Sequence, residues 1–279
     1  MSRIRRIFDL TRFEFADIRQ SRWLGFTVLV YGVLIGIFVL VGLRESSVIG
    51  FTGLGRVLIN FSHALVLLLP LLALTATAQI FPKARKDGTL ELLMSQPISR
   101  GDYFTAVALS RLTALVAPLV ILSAAIAGFA GLVLGQPIPW VHLGNLLVSA
   151  TTLIIAFVGL GLLISTYGQS QAKTLIYALL AWAAGIALLD FGLIAMMLQW
   201  RLNPQTVFAA ATINPVQCAR FVLLASAEPE LSILGPVGFF MVNRLGSFWL
   251  SVIGIAWPAV FGAGTLTAAW FKFRNSDLF

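Results

Sequence analysis

Stretches of about 20 residues that almost completely lack charged side chains recur along this sequence, separated by short polar links. About 20 apolar residues in an α-helix cross the hydrocarbon core of a bilayer, where the backbone must satisfy its own hydrogen bonds. The chain is 59% hydrophobic and 11% charged, whereas about a quarter of the residues in soluble domains are charged. The pattern therefore predicts an all-α polytopic membrane protein.

Six charge-poor segments are long enough to be transmembrane helices, and we predict one transmembrane domain over residues 1–279. In chain order the predicted spans are 23–43, 57–80, 103–134, 143–166, 174–198 and 248–271. Residues 1–22 place apolar and arginine side chains at helical spacing, which favours an amphipathic helix lying in the membrane interface. A mobile basic tail is the alternative for this segment.

Residues 199–247 differ from the spans because this segment is interrupted by three proline-containing pairs: Asn203-Pro204, Asn214-Pro215 and Glu228-Pro229. Asn-Pro pairs are signals for turns or helix starts. The segment reads as too polar and too broken to span, so we predict a small cap of short interfacial helices.

The positions of Lys and Arg predict the orientation, because cytoplasmic loops of membrane proteins carry an excess of these residues. If the N-terminus is cytoplasmic, the cytoplasmic segments contain Arg3, Arg5, Arg6, Arg12, Arg19, Arg22, Lys83, Arg85, Lys86, Arg100, Lys173, Lys272 and Arg274. The opposite side contains Arg44, Arg56, Arg201, Arg220 and Arg244. This places both termini in the cytoplasm and the cap outside. The net charge of +8 thus indicates membrane orientation rather than a nucleic-acid partner.

The polar insert, residues 81–102, is the only long polar segment between the spans of the N-terminal half. After a basic run, Asp87, Gly88 and Thr89 favour a helix start, since Asp and Thr side chains can accept bonds from a first turn. Pro97 ends the helix. A short apolar helix flanked by cations suits docking into a groove on another protein, and an ordinary solvated loop is the alternative.

Asp87-Gly88-Thr89-Leu90-Glu91-Leu92-Leu93, followed by Ser95-Gln96-Pro97-Ile98-Ser99-Arg100, resembles the first intracellular loop of ABC-2 type transporter permeases. The interfacial helix, the six spans and the outer segment between spans five and six are also similar to that family. The resemblance implies a bacterial inner-membrane permease that pairs with a second copy or a related chain. It also implies a cytoplasmic ABC ATPase whose cleft receives the insert helix. Changing Glu91 and Leu93 together is expected to abolish association with this ATPase. The residues implied in coupling are Asp87, Gly88, Thr89, Leu90, Glu91, Leu92, Leu93, Met94, Pro97 and Arg100.

The chain has no Walker A phosphate loop, so we expect ATP and Mg²⁺ to bind the partner ATPase and no cofactor to bind this chain. No Ser/His/Asp or HExxH arrangement predicts a catalytic residue. His63 and His142 are far apart in sequence and lack a helical partner, so no metal site is predicted. The single Cys218 excludes an intrachain disulfide.

Two short sequence segments resemble one branch of the family, the branch that supports maturation of nitrous oxide reductase. They are Ile49-Gly50-Phe51-Thr52, and Ile213-Asn214-Pro215 followed by Arg220. This resemblance implies an accessory protein on the outer face, with Asn214, Pro215 and Arg220 as candidate partner or gate residues. It also implies export of a sulfur species for copper–sulfur cluster assembly.

Arg111 and Asp190 are the charged residues that the predicted topology places inside the membrane. Ionisable groups at that depth suggest function. For Arg111 we favour snorkelling toward the cytoplasmic interface over a functional role, and Asp190 can pair with Arg201 or Arg220. Two other functions therefore stay open: a membrane anchor for an outer partner without transport, and an ion-coupled secondary transporter that uses these two residues.

Overall fold

The computed structural model describes residues 3–20, 22–48, 52–132, 140–188, 203–227 and 241–276, and those ranges are helical without any strand. The helices are α1 Arg3–Gln20, α2 Arg22–Val48, α3 Thr52–Thr77, α4 Ile80–Lys86, α5 Thr89–Met94, α6 Arg100–Leu132, α7 Trp140–Tyr167, α8 Gln171–Ala183, α9 Pro204–Thr212, α10 Pro215–Ala227 and α11 Gly246–Asn275. Single π-helical turns follow α8 at Ala184–Leu188 and precede α11 at Met241–Leu245. The predicted all-helical class is confirmed.

Four helical segments among the described residues are long and apolar enough to cross a membrane: Ala64–Lys86, Arg100–Ala125, Trp140–Tyr167 and Asn243–Asn275. Within α2, Trp23–Leu34 forms a shorter apolar helix. Residues 189–198 of the predicted fifth span, including Asp190, lie outside the described residues. The chain is thus a multi-pass membrane protein, and the count of six spans stays a prediction.

Helix α7 lies at the centre of the bundle, where it packs against α3, α6, α10 and α11. Its glycines let neighbouring helices approach closely. A Cβ atom on Gly159 would lie 2.9 Å from the carbonyl oxygen of Gly262 on α11, and one on Gly161 would overlap the side chain of Thr77 on α3. The core of the protein therefore depends on small residues at helix crossings.

Within the segment predicted as a cap, the described residues 203–227 form a hairpin, which we define as α9 and α10, bent by 116°. Helix α10 packs against α3, α7 and α11, with Val216, Ala219 and Val222 fully buried. The two helices together are apolar enough to form one broken span. The prolines open both helices instead of only breaking the chain, because proline at the first helical position loses no needed N–H bond.

One end of the bundle brings together the polar insert, the N-terminal helix α1 and the described C-terminal end of α11. The Arg6 guanidinium donates to Pro97 O at 3.4 Å, and Arg85 donates to Gly168 O, after α7, at 3.3 Å. Helix α1 packs against α6 and α2. The apolar residues predicted to share one face of α1 differ in burial, since Ile18 is buried whereas Ile4 and Phe8 are exposed.

Candidate functional site

The polar insert is two short helices joined by a glycine turn. Gly88 has φ 68°, a left-handed conformation that glycine adopts without strain, and its N–H donates to Arg85 O at 3.2 Å. Helix α5 then begins at Thr89 without a side-chain cap. The predicted helix start over Asp87-Gly88-Thr89 is confirmed, but the predicted capping by Asp and Thr side chains was wrong. The N–H groups of Asp87 and Gly88 instead end α4 by donating to its last carbonyls.

Helix α5 presents two different sides. Leu90 is fully buried in the main core, and Leu93 and Met94 are half-buried against it. Leu92 is 66% exposed, and we define the α5 surface as the exposed residues Thr89, Glu91, Leu92, Ser95 and Gln96. One exposed leucine beside one carboxylate gives this surface the chemistry of a protein contact.

Cations border the α5 surface. Lys83 and Lys86 are exposed, whereas Arg85 is half-buried and bonded to Gly168 O. The predicted basic run therefore separates into two exposed ammonium groups and one arginine that attaches α4 to the end of α7.

Beneath the insert lies an aromatic cluster, which we define as Phe81, Tyr103, Phe104, Trp270 and Phe273. The rings of Phe81 and Phe273, both fully buried, stack with centroids 4.5 Å apart. The ring centroid of Phe104 lies 6.1 Å from that of Phe81 and 5.8 Å from that of Trp270. Such ring pairs stabilise contacts beyond their buried area, so the cluster ties α4 to the start of α6 and the end of α11. Sequence analysis did not identify it, because its members are far apart in the chain.

Arg100 occupies a different position from the exposed α5 surface. Its guanidinium Nη1 donates to Arg274 O at 2.7 Å and to Ser276 O at 3.0 Å. These carbonyls end α11, where unpaired carbonyl groups and the helix dipole both favour a cation. Ser99 caps α6 by accepting from Asp102 N–H at 3.1 Å, a cap that the Ser-x-x-Asp pattern signals.

Arg111 faces acidic residues of α1. The charges of Glu14 and Asp17 both act on it, and its Nε has no hydrogen-bond partner within the described residues. Burial raises the pKa of Glu14, while Arg111 opposes that rise and Asp17 adds to it. The structure therefore places Arg111 at the contact between α1 and α6. Two acids three positions apart on an amphipathic helix were the signal that could have suggested this partner.

Asn214 and Pro215 lie buried at the bend of the hairpin. The Asn214 Oδ1 accepts from Val216 N–H at 2.9 Å and so caps α10, while its Nδ2 donates to Gly185 O in the π-helical turn. The indole of Trp257 on α11 donates to Ile213 O at 3.0 Å. Arg220 is half-buried on α10. A gate or partner role for these residues stays a prediction.

The start of α7 and the end of α10 meet through a hydrogen bond that the sequence did not signal. His142 Nδ1 lies 2.8 Å from Ser226 Oγ, and Ser226 donates its own proton to Leu223 O at 2.9 Å. Since a hydroxyl has one proton, Nδ1 of His142 must be the donor to Ser226.

Comparison with known proteins identifies relatives over almost the whole chain. Residues 9–267 match the family model described as ABC-2 family transporter protein. A protein from Stutzerimonas stutzeri named probable ABC transporter permease protein NosY is 24% identical, with 96% of this chain and 98% of that protein aligned. A protein of the same name from Pseudomonas aeruginosa is also 24% identical, over 98% of this chain and 99% of its own length.

Proposed function

Because the chain belongs to the ABC-2 family of transporter proteins, we propose that it couples ATP hydrolysis by a separate cytoplasmic ATPase to movement of a substrate across the bacterial inner membrane. The family and the NosY relatives establish it as a permease subunit of an ABC transporter. The observation that supports the coupling most directly is the α5 surface, an exposed leucine and carboxylate on a helix that is anchored from beneath.

In this proposal the ATPase cleft receives Leu92 and Glu91. The two half-buried residues, Leu93 and Met94, and the buried Leu90 attach α5 to the bundle. When ATP binding closes the ATPase dimer, the short helix follows the cleft, and its buried side transmits the displacement. The ATPase, not this chain, holds ATP and Mg²⁺.

The proposed orientation in the membrane rests on the distribution of Lys and Arg and on the contacts between the insert and residues near both ends of the chain. Lys and Arg concentrate in the segments assigned to the cytoplasm, and hydrogen bonds bring the insert close to residues near both ends of the chain. We therefore place the N-terminal helix, the insert and the C-terminal residues together in the cytoplasm. The function needs two insert helices for a two-part ATPase, supplied by a second copy of this chain.

The transported substrate is proposed from resemblance. From the sequence segments at 49–52 and 213–215, which resemble the branch that supports maturation of nitrous oxide reductase, we propose a sulfur species for copper–sulfur cluster assembly; the similarity to permeases named NosY is consistent with that branch. An accessory protein on the outer face would receive it near Arg220.

The coupling is tested by co-expressing the chain with its cognate ABC ATPase and measuring co-purification. The variant Glu91→Lys with Leu92→Ala removes the acid and the exposed leucine, so ATPase association should be lost while membrane insertion and thermal stability persist. The control, Asp9→Lys, makes the same charge change on an exposed position of α1 and should retain the ATPase. Undiminished association of the double variant would overturn the assignment. ATP hydrolysis that does not depend on this chain would favour a membrane anchor.

A further inference from the structure

The last helix, α11, is attached to the polar insert at its C-terminal end. Phe273 stacks on Phe81 of α4 at 4.5 Å, and Arg100 donates to the carbonyls of Arg274 and Ser276. A Cβ atom on Gly101 would lie 2.9 Å from the Trp270 ring, so α6 and α11 are in direct contact beside the insert. Any displacement of α4 or of the start of α6 must move these side chains or displace the end of α11.

In its middle, α11 packs on α7 with almost no side chain between the backbones. A Cβ on Gly262 would lie 2.8 Å from Ala156 N and 2.9 Å from the carbonyl carbon of Ile155. Contacts this close fix the spacing of two helices, because protein interiors respond to displacement by discrete repacking rather than by continuous deformation.

Towards its N-terminal end, α11 contacts the hairpin. A Cβ on Gly254 would lie 2.5 Å from Cys218 O of α10, and Trp257 bonds to Ile213 O beside the bend. Since α11 has 30 residues, it is about 45 Å long at 1.5 Å per residue. One helix thus contacts the insert at one end and the hairpin towards the other.

On the premise of the proposed coupling function, we infer that α11 transmits movement of the polar insert to the hairpin, with Phe273 and Arg100 as the positioning residues at its input end. The covalent route through α3 is the competitor, because α3 packs on α10 and leads into α4. The two helices are joined through the turn at Ala78 and Gln79 and together form the apolar segment Ala64–Lys86, so the experiment must separate the two routes.

The test places a spectroscopic probe on the hairpin and perturbs the far end of α11. A spin label on Asn203→Cys, an exposed position, in a Cys218→Ser background reports the hairpin in the assembled complex with its ATPase in lipid nanodiscs. ATP is expected to change the spectrum. In Phe273→Ala the ATP-dependent change should fall by about fivefold or more, the lower end of typical coupling between sites, while ATPase association is unchanged.

Phe271→Ala is the matched control, since Phe271 lies on the same turn but is 59% exposed, and it should keep the full response. If Phe273→Ala does not fold, Phe273→Leu retains an apolar side chain and removes only the ring stacking, and Arg100→Gln removes only the bonds to α11. Each should lower the ATP response without releasing the ATPase.

A full response in a folded Phe273 variant and in Arg100→Gln would overturn this inference and assign transmission to α3. Absence of ATPase binding by the unaltered chain would instead overturn the proposed function, and the inference with it. The two failures are distinguishable because association and spectral response are measured separately.

Discussion

The two ends of α11 are held by different kinds of contact. At the C-terminal end, large rings and one guanidinium make the contacts, with Phe273 and Phe81 stacked at 4.5 Å. Towards the hairpin, glycines bring backbones together, as at Gly254 and Cys218. Side chains can change rotamer and repack, whereas backbone contacts at a glycine admit no added atom. The comparison teaches that the insert end depends on buried side chains, which a substitution can remove, whereas the hairpin end depends on backbone contacts that leave no room for an added side chain.

The largest expected effect concerns the anchoring of the insert. Leu90→Ala removes a fully buried side chain and should lower the free energy of unfolding by about 3 kcal/mol, measured by thermal unfolding in nanodiscs. Leu92→Ala, at 66% exposure, should change it by less than about 0.5 kcal/mol and weaken ATPase binding instead. Equal losses of stability would show that α5 does not have distinct anchoring and docking sides.

The spacing of α7 and α11 gives the next effect. Gly262→Ala places a methyl group 2.8 Å from Ala156 N and should destabilise the protein by about 2 kcal/mol, as overpacking does. Gly264→Ala, two residues along α11, meets nothing within 4 Å and should be neutral or slightly stabilising. A neutral Gly262→Ala in the same unfolding assay would contradict a rigid helix crossing.

A smaller effect is expected at the bend of the hairpin. Asn214→Ala removes the cap of α10 and the bond to Gly185 O, and should cost about 1 kcal/mol. Asn203 also precedes a helix-starting proline but makes no side-chain cap bond, so Asn203→Ala should cost less. Identical melting temperatures for the two variants would argue against Asn214 as the structural link between the hairpin and the π-helical turn after α8.

The smallest effect tests how α1 is held at the insert end. Burial raises the pKa of Glu14 above its ordinary value of 4.5, so the folded state binds a proton more readily than the unfolded state. Stability contributed by the protonated form is present below 4.5 and is lost as pH rises through the folded-state pKa. Glu14→Gln should therefore flatten the pH dependence of the melting temperature in that window, whereas Asp9→Asn, on the exposed side of α1, should leave it in place. An unchanged slope in Glu14→Gln would show that Glu14 ionises freely.

Sequence patterns located the polar insert but not the orientation of its side chains. Leu90, Leu93 and Met94 stand at i, i+3 and i+4 and so share one side of the helix, apart from Leu92. Periodicity alone did not say which of the two sides meets the bundle and which faces outward. The structure buries Leu90, half-buries Leu93 and exposes Leu92, so the docking residue that we propose is Leu92 instead of Leu93. Similarly, Arg100 was recognised from its motif, but its contact with the end of α11 joins residues 174 positions apart.

By itself the sequence determined that the chain is helical and crosses a membrane several times, because charge-free stretches of this length can satisfy their backbones in lipid only as helices. It also determined where the second short helix of the insert begins and ends, since Gly88 and Pro97 act through their own backbone constraints. Only the tertiary structure decided that α10 is buried, that Arg111 faces α1 and that the insert contacts the last helix. These outcomes depend on which helices become neighbours, and that choice is made by packing between residues distant in the chain.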